Sequence, residues 1–406
     1  MSWLDELMDS TKELESPRSF FYWSGLASIS AVLRDNVWQP RAGAKMLNVY
    51  PNIYVMLLAG SALKKGPPVG LAKALARQVN NTKIIVGRAS VPAILKELST
   101  SETRPGGHIV KGNCGFFAAS EFSSSIVEDS AAFNILTDIY DRNYNEGDWK
   151  QLLKSDTFSL KSPTLTMLVA TNDPHLKDFV KEKDVYGGFF GRMFVIREDK
   201  VSRLNSLMTD LENPPDEQKL GCYLKKLAEL KGPFITLSNT EAGKYYNEWY
   251  NDFYSMVAKQ EIEDKTGTIG RFGDSVIKVA MLLSLSERPE LSITLSAMQE
   301  AVRQCEKFVE GIRRAMVGRG GSNSANFTEQ KALIINELLQ RENHIVSRAV
   351  LLKKYWMHLN ADELDNIIRT FDDAGMVKPR IMGGTMVYEM PKEIAEKLIE
   401  RIGNKK

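Results

Sequence analysis

Lys65 stands at the end of a run of small residues, Ala59-Gly60-Ser61-Ala62-Leu63-Lys64, and is followed by Gly66-Pro67-Pro68 and a helix-like stretch from Val69 to Gln78. Before the run, Ile53-Tyr54-Val55-Met56-Leu57-Leu58 is unbroken apolar sequence, as a strand buried on both faces requires. A strand, a small-residue loop and a helix N-terminus form a receptor for phosphate, because backbone N–H groups converge on the anion and the helix dipole favours its charge. Gly60, Ser61, Lys64, Lys65 and Gly66 are therefore candidate nucleotide-binding residues, with Lys65 at the phosphate-lysine position. The pattern is degenerate: Lys64 replaces the second glycine, and Gly66 replaces the Ser or Thr that holds magnesium. Taken alone, the loop reads more readily as a plain strand-to-helix turn than as a nucleotide site. Proline suits the first helical turn, where a missing N–H costs little.

Four later residues sit beside other apolar runs. Phe116-Phe117-Ala118-Ala119-Ser120-Glu121 delivers Glu121 at a strand end, where an ATPase needs a carboxylate to polarise water, with Ser120 in the place of the magnesium-directing Asp. Leu165 to Ala170 delivers Thr171-Asn172, suited to hydrogen-bonding a γ-phosphate or the attacking water. Arg192 directly precedes Met193-Phe194-Val195-Ile196, a position from which it can reach a neighbouring subunit's phosphates as an arginine finger. Thr268-Ile269-Gly270-Arg271 opens a helix whose apolar run, Val276 to Leu285, is expected to pack in a lid and leave Arg271 facing the nucleotide. The bland alternatives are a solvent-facing acid, an ordinary Asn turn and surface salt bridges. The functional reading rests on the order of the features.

The elements that must position these residues form a pattern. Apolar runs at 53–58, 84–86, 115–119, 165–170 and 193–196, with helical stretches between most of them, predict an α/β core with a parallel sheet covered on both faces. Residues 1–50 read as an N-terminal helical segment, with Leu4, Leu7 and Met8 at helical spacing, and 51–200 as the core. Residues 201–317 read as a helical lid region, with helices over Leu207 to Leu230, Thr240 to Gln260, Arg271 to Ser286 and Ser296 to Val317. The small polar stretch at 318–325 reads as a linker. Residues 326–406 read as a winged-helix domain: helices over Glu329 to Gln340, Ser347 to Tyr355 and Asp362 to Asp373, then two strands around a Gly383-Gly384 turn. Its third helix carries Asp362, Glu363, Asp365, Asp372 and Asp373 against Arg369 and repels phosphate, so Lys378 and Arg380 in the hairpin offer the better DNA face. A protein-docking role is the alternative.

Lys and Arg number 53 against 51 Asp and Glu, a net charge of +2, so any nucleic-acid contact must rest on a local patch or an oligomer channel. Lys150 and Lys154, beside Trp149, are candidate channel residues, and Tyr144 to Trp149 suggests a hairpin insert or an ordinary surface turn. Three scattered cysteines and four histidines argue against a disulfide framework and structural zinc, and no metal-ligating residue set is expected. No apolar run approaches the ~20 residues of a membrane helix, and the N-terminus is acidic. The expectation is a cytoplasmic protein without a membrane partner.

This order of motifs resembles the AAA+ P-loop ATPase core of minichromosome-maintenance-type helicases. It resembles more closely the phage and plasmid replication ATPases long catalogued as a domain of unknown function. The resemblance covers about residues 20–317 and rests on Pro51-Asn52-Ile53-Tyr54-Val55, Ser61 to Gly66, Ser120-Glu121-Phe122, Thr171-Asn172, Gly188-Phe189-Phe190-Gly191-Arg192, and Arg271 with its helix. It implies Lys65 as Walker A lysine, Glu121 as Walker B glutamate, Asn172 as sensor 1, Arg192 as arginine finger and Arg271 as sensor 2. It implies ATP with Mg as cofactors and a homo-oligomeric ring such as a hexamer, with single-stranded or duplex DNA in its channel. A replication-protein partner at the winged helix and a bacterial host cytoplasm follow for a phage or plasmid protein. In that family the loop often reads Lys-Gly followed by Thr or Ser, so Pro67 stands at the hydroxyl position in that alignment. Either way magnesium loses its side-chain hydroxyl. An ATP-driven, helicase-like DNA motor is therefore weighed against a non-hydrolysing AAA+-scaffold adaptor or DNA-binding assembly factor. A winged-helix transcription regulator is the weaker third reading, because an acidic third helix reads the major groove poorly.

Overall fold

The computed structural model describes residues 1–41, 47–60, 62–87, 89–104, 108–110, 112–122, 132–141, 148–152, 157–172, 188–205, 211–259, 267–317, 322–341, 343–355, 359 and 361–403. The chain divides into two compact units, Met1–Gly311 and Ile312–Lys406.

The first unit opens with α1 (Trp3–Ser10) and α2 (Arg18–Leu33). Ser2 and Asp5 cap α1 reciprocally, each side chain accepting from the other's backbone N–H, which satisfies two donors that the first turn leaves over. A small β1 (Val37–Trp38) precedes β2 (Tyr54–Leu58), α3 (Gly66–Arg77), β3 (Ile84–Val86) and α4 (Val91–Ser99). A hairpin of β4 (Glu102–Arg104) and β5 (His108–Val110) leads into β6 (Cys114–Ala119), and α5 (Ala132–Asp141) follows. Next comes a second hairpin, β7 (Asp148–Leu152) with β8 (Thr157–Lys161), then β9 (Thr164–Thr171) and β10 (Met193–Arg197).

Strands β2, β3, β6, β9 and β10 form one parallel five-stranded sheet in the order β10-β2-β9-β6-β3. Each coincides with an apolar run read from the sequence, and β9 is buried along all eight residues. Tyr54 donates its hydroxyl to the Leu136 carbonyl on α5, whereas Phe194, the register partner of the next residue Val55, packs on Trp23 of α2. Successive strand residues face opposite ways, so α5 and α2 cover opposite faces of the sheet. The expected two-sided α/β core is present.

After β10 come α6 (Glu217–Ala228), β11 (Gly232–Pro233) paired with β1, α7 (Glu241–Lys259), α8 (Thr268–Glu287) and α9 (Leu295–Val317). Of the stretch expected as helix from Leu207, residues 207–210 lie outside the described residues, 211–216 are not helical, and α6 begins at Glu217. Pro214 and Pro215 cannot enter a helix interior, and Asp216 caps the new start by accepting from the Gln218 and Lys219 N–H groups. The hairpin insert expected at 144–149 is β7–β8, which starts at Asp148. Lys154 and residues 142–147 lie outside the described residues.

The second unit contains α10 (Ser322–Gln340), β12 (Ile345–Ser347), α11 (Arg348–Lys354), α12 (Ala361–Asp373), β13 (Lys378–Met382), β14 (Thr385–Glu389) and α13 (Lys392–Gly403). Its antiparallel sheet has the order β12-β14-β13. Helix α10 starts at Ser322, within the stretch expected as linker, because Ser322 to Ala325 contains no Gly or Pro to stop it. Strand β12 and helix α13 were not expected. Gly383 and Gly384, with φ of 55° and 77°, form the β13–β14 turn, where two positive φ values match the strand twist. Ile334, Leu338, Leu351, Leu364, Ile367 and Phe371 share the core of this unit.

Beside that core Glu337 is 2% exposed and accepts from Arg341, Lys354 and the Tyr355 hydroxyl. Burial pushes its carboxyl up, but the three donors outweigh burial and hold it below the ordinary value of 4.5. A carboxyl depressed on folding contributes stability that is present above the unfolded value and is lost as pH falls through the folded one. The second unit is therefore expected to lose stability below about pH 4.5, and Glu337→Gln to flatten that loss. Thermal melts from pH 3 to 7 check it, and parallel pH profiles for the two proteins would contradict it.

Candidate functional site

The chain leaves β2 for β3 at one edge of the sheet, and leaves β9 for β10 on the other side of β2. Connections departing in opposite directions from adjacent strands open a crevice at the strands' C-terminal ends, the usual ligand position in an open parallel sheet. The loop after β2 and Thr171-Asn172 after β9 border this crevice, and Ser120-Glu121 after β6 is the next strand over. Backbone bonds tie the three ends together. The Ala59 N–H donates to the Thr171 carbonyl at 3.3 Å, and the Phe122 N–H to the Ala170 carbonyl at 2.7 Å. Glu121 is exposed, Asn172 is half-buried, and the buried Thr171 hydroxyl has no hydrogen-bond partner among the described residues.

Lys65 turns its ammonium into the loop and donates to the carbonyls of Ala59 and Gly60 at 2.7 and 2.8 Å. A cation poised over the loop's own carbonyls can transfer to a phosphate oxygen with little rearrangement. Lys64 has a φ of +46°, the left-handed backbone that favours glycine and that the second glycine of a P-loop provides. The sequence departs from the pattern at this position, while the φ of Lys64 takes the sign that a glycine there would adopt freely. A Cβ added at Gly66 would meet no atom within 4 Å, so the side-chain side of this position is open. Pro67 and Pro68 remove two N–H donors from that turn. Neither Gly66 nor Pro67 carries a side-chain oxygen for magnesium, and among the described residues no cluster of His, Cys, Asp and Glu could hold a metal ion. The residues fit phosphate better than they fit the cation. Ser61 lies outside the described residues.

Arg192 and Arg271 are not at this edge. Arg192 precedes β10, whose first residue Met193 pairs with Tyr54, the first residue of β2. It therefore sits at the N-terminal edge, roughly 15 Å from the loop at about 3.3 Å per strand residue. Arg271 is there too: a Cβ at Gly188 would lie 2.9 Å from the Arg192 guanidinium and 4.0 Å from that of Arg271. Two turns further along α8, Lys278 donates to the Asn52 carbonyl and side-chain oxygen at 3.0 and 2.7 Å, just before β2. Arg41, Tyr140, Asp141, Arg271, Asp274 and Lys278 line a cavity of about 260 Å³ at this end. Arg271, expected to face the nucleotide, thus lies at the edge opposite the loop: α8 packs on α1, α2 and the turn at 190–192, with its N-terminus at the far edge.

Arg192, expected as a finger, is turned inward. Arg192 is 4% exposed, makes a bidentate pair with Asp141 at the end of α5, and donates to the Gly188 carbonyl at 2.6 Å. As it stands it holds the 188–192 turn rather than reaching outward. No spacing in the sequence links Asp141 to Arg192. The edge itself was legible, since Lys65, Glu121 and Asn172 follow their strands whereas Arg192 precedes one.

Among the described residues no helix is long and apolar enough to cross a membrane. No protein-family model matches this chain, and no curated protein matches it.

Proposed function

We propose that the chain is the subunit of a homo-oligomeric nucleotide-dependent DNA motor of the AAA+ replication type, with a helical lid region and a C-terminal winged helix. The observation that carries this reading is the separation of its functional groups. Lys65, Glu121 and Asn172 belong to one edge of the sheet and Arg271 to the other, so an Arg271 that contacts phosphate contacts that of another copy. ATP phosphates lie on loop 59–66, where Lys65 exchanges the Ala59 and Gly60 carbonyls for phosphate oxygens. Asn172, on the strand between the other two, orients a water that Glu121 polarises. Arg192 supports the surface that Arg271 presents. The β7–β8 hairpin, between β6 and β9, is the channel insert.

Sedimentation with and without ATP, followed by phosphate release, tests this reading. A larger species is expected with ATP, with slow release that falls by roughly 10²-fold or more in Glu121→Gln. Unchanged release in that variant removes Glu121 from the chemistry, and a monomer under all conditions removes the oligomer. A second reading, the non-hydrolysing adaptor, is favoured by Gly66, Ser120 and the prolines at 67 and 68. It predicts assembly without release.

The wing carries the DNA contact in this reading. Arg380 is paired with Glu389 at 2.8 Å, so exposed Lys378 supplies more of the phosphate contact. Lys378→Ala is expected to weaken DNA binding and lower the salt slope by about one, and Arg380→Ala to do less. Gel shifts at two salt concentrations measure both. Equal affinity of wild type and Lys378→Ala favours protein docking at the wing.

A further inference from the structure

Lys64 adopts a backbone conformation that ordinary side chains avoid, and something must hold it there. Ser16, 2% exposed, donates its hydroxyl to the Lys64 carbonyl at 2.7 Å. Next to it, the Glu15 carboxylate lies 3.7 Å from the Lys64 ammonium. Glu15 is itself fixed from the far side. Its carbonyl accepts from the Ser202 N–H at 3.1 Å, and its carboxylate accepts from the Asn205 N–H at 3.2 Å, both in the segment after β10. That segment starts at the sheet edge bearing the loop, because the Glu198 N–H donates to the Leu58 carbonyl. Three stretches of chain distant in sequence thus meet at the second-glycine position of the phosphate loop.

We infer that Ser16, backed by Glu15, is a positioning residue that clasps the Lys64 carbonyl and holds the phosphate loop in its binding shape where the sequence has no glycine. The inference rests on the nucleotide reading and adds to it a requirement specific to this chain. A glycine reaches the left-handed region without help. A lysine does so only while the surroundings over-determine it, and a buried hydroxyl on its carbonyl, anchored through Glu15 to the segment after β10, is such a constraint. The same clasp ties the loop's shape to the N-terminal segment between α1 and α2.

The test compares Ser16→Ala in three backgrounds: wild type, Lys64→Ala and Lys64→Gly. Alanine removes the Lys64 side chain but keeps the Cβ that resists positive φ, whereas glycine removes both. ATP affinity of the full chain is measured by calorimetry, and amide hydrogen exchange over residues 60–66 is measured without nucleotide. Ser16→Ala is expected to weaken ATP binding roughly three- to tenfold and to speed exchange in the first two backgrounds. In the Lys64→Gly background both effects should shrink to less than about twofold. Equal effects in the Lys64→Ala and Lys64→Gly backgrounds, or none in wild type, overturn the clasp. If wild type binds no ATP, the nucleotide reading fails, and hydrogen exchange still decides whether Ser16 holds the loop. Ser16→Ala removes one oxygen, and a melting temperature close to wild type in each background confirms that the comparison is made on folded protein.

Discussion

Replacing Lys65 with alanine is expected to weaken ATP binding by a factor on the order of ten to a hundred, read by calorimetric titration. Its ammonium already lies over the loop, bonded to the Ala59 and Gly60 carbonyls. Phosphate oxygens replace neutral acceptors with charged ones, and a charge-assisted hydrogen bond contributes about 1.5–3 kcal/mol. The effect should be larger here than in a loop with a full set of donors, since Pro67 and Pro68 leave fewer N–H groups to share the anion. Glu121→Gln, which changes no phosphate donor, should bind ATP as wild type does. An affinity in Lys65→Ala within a factor of two of wild type would place the nucleotide elsewhere or nowhere.

Asp141→Ala is expected to cost about 3–5 kcal/mol of stability, the range for removing one partner of a buried ion pair. The asymmetry of the pair predicts which side matters. Arg192 is 4% exposed at its side chain and Asp141 20%, so removing Asp141 leaves a buried guanidinium with the Gly188 carbonyl as its partner among the described residues. Arg192→Ala leaves a carboxylate that water can reach and should cost less. A drop in melting temperature of roughly 5–8 °C is expected for Asp141→Ala in a unit of this size, with a smaller one for Arg192→Ala. Melts followed by circular dichroism rank them. The reverse ranking, or two small shifts, would mean that the pair does not hold the 188–192 turn, and would return Arg192 to the role of a finger.

All five core strands were legible as apolar runs; the central ones must be apolar at successive positions because they are buried on both faces, as Tyr54 to Leu58 and Leu165 to Ala170 are, whereas the edge strand β3 leaves Val86 exposed. The Gly383-Gly384 turn was legible because two consecutive positive φ values demand such residues. Errors came where local patterns gave no signal. Ser322 to Ala325 looks like linker by composition, yet it continues a helix whose later turns bury Ile334 and Leu338. Leu207 to Leu230 looked helical until Pro214-Pro215 is weighed against the periodicity.

By itself the sequence determined which residues end strands, and so assigned Lys65, Glu121 and Asn172 to strand exits and Arg192 to a strand entrance. Those assignments follow from local hydrophobic pattern, which every residue carries with it. Only the tertiary structure decided the strand order β10-β2-β9-β6-β3, which sets the Asn172 strand between those of Lys65 and Glu121. It alone decided that Arg271 lies beside Arg192 at the far edge, that Asp141 neutralises Arg192, and that Ser16 reaches Lys64. The reason is physical: these partners are 48 to 79 residues apart along the chain, and no periodicity spans such separations. Their meeting depends on which faces of α2, α5 and α8 bury against which strands, a choice made by the packing of the whole core.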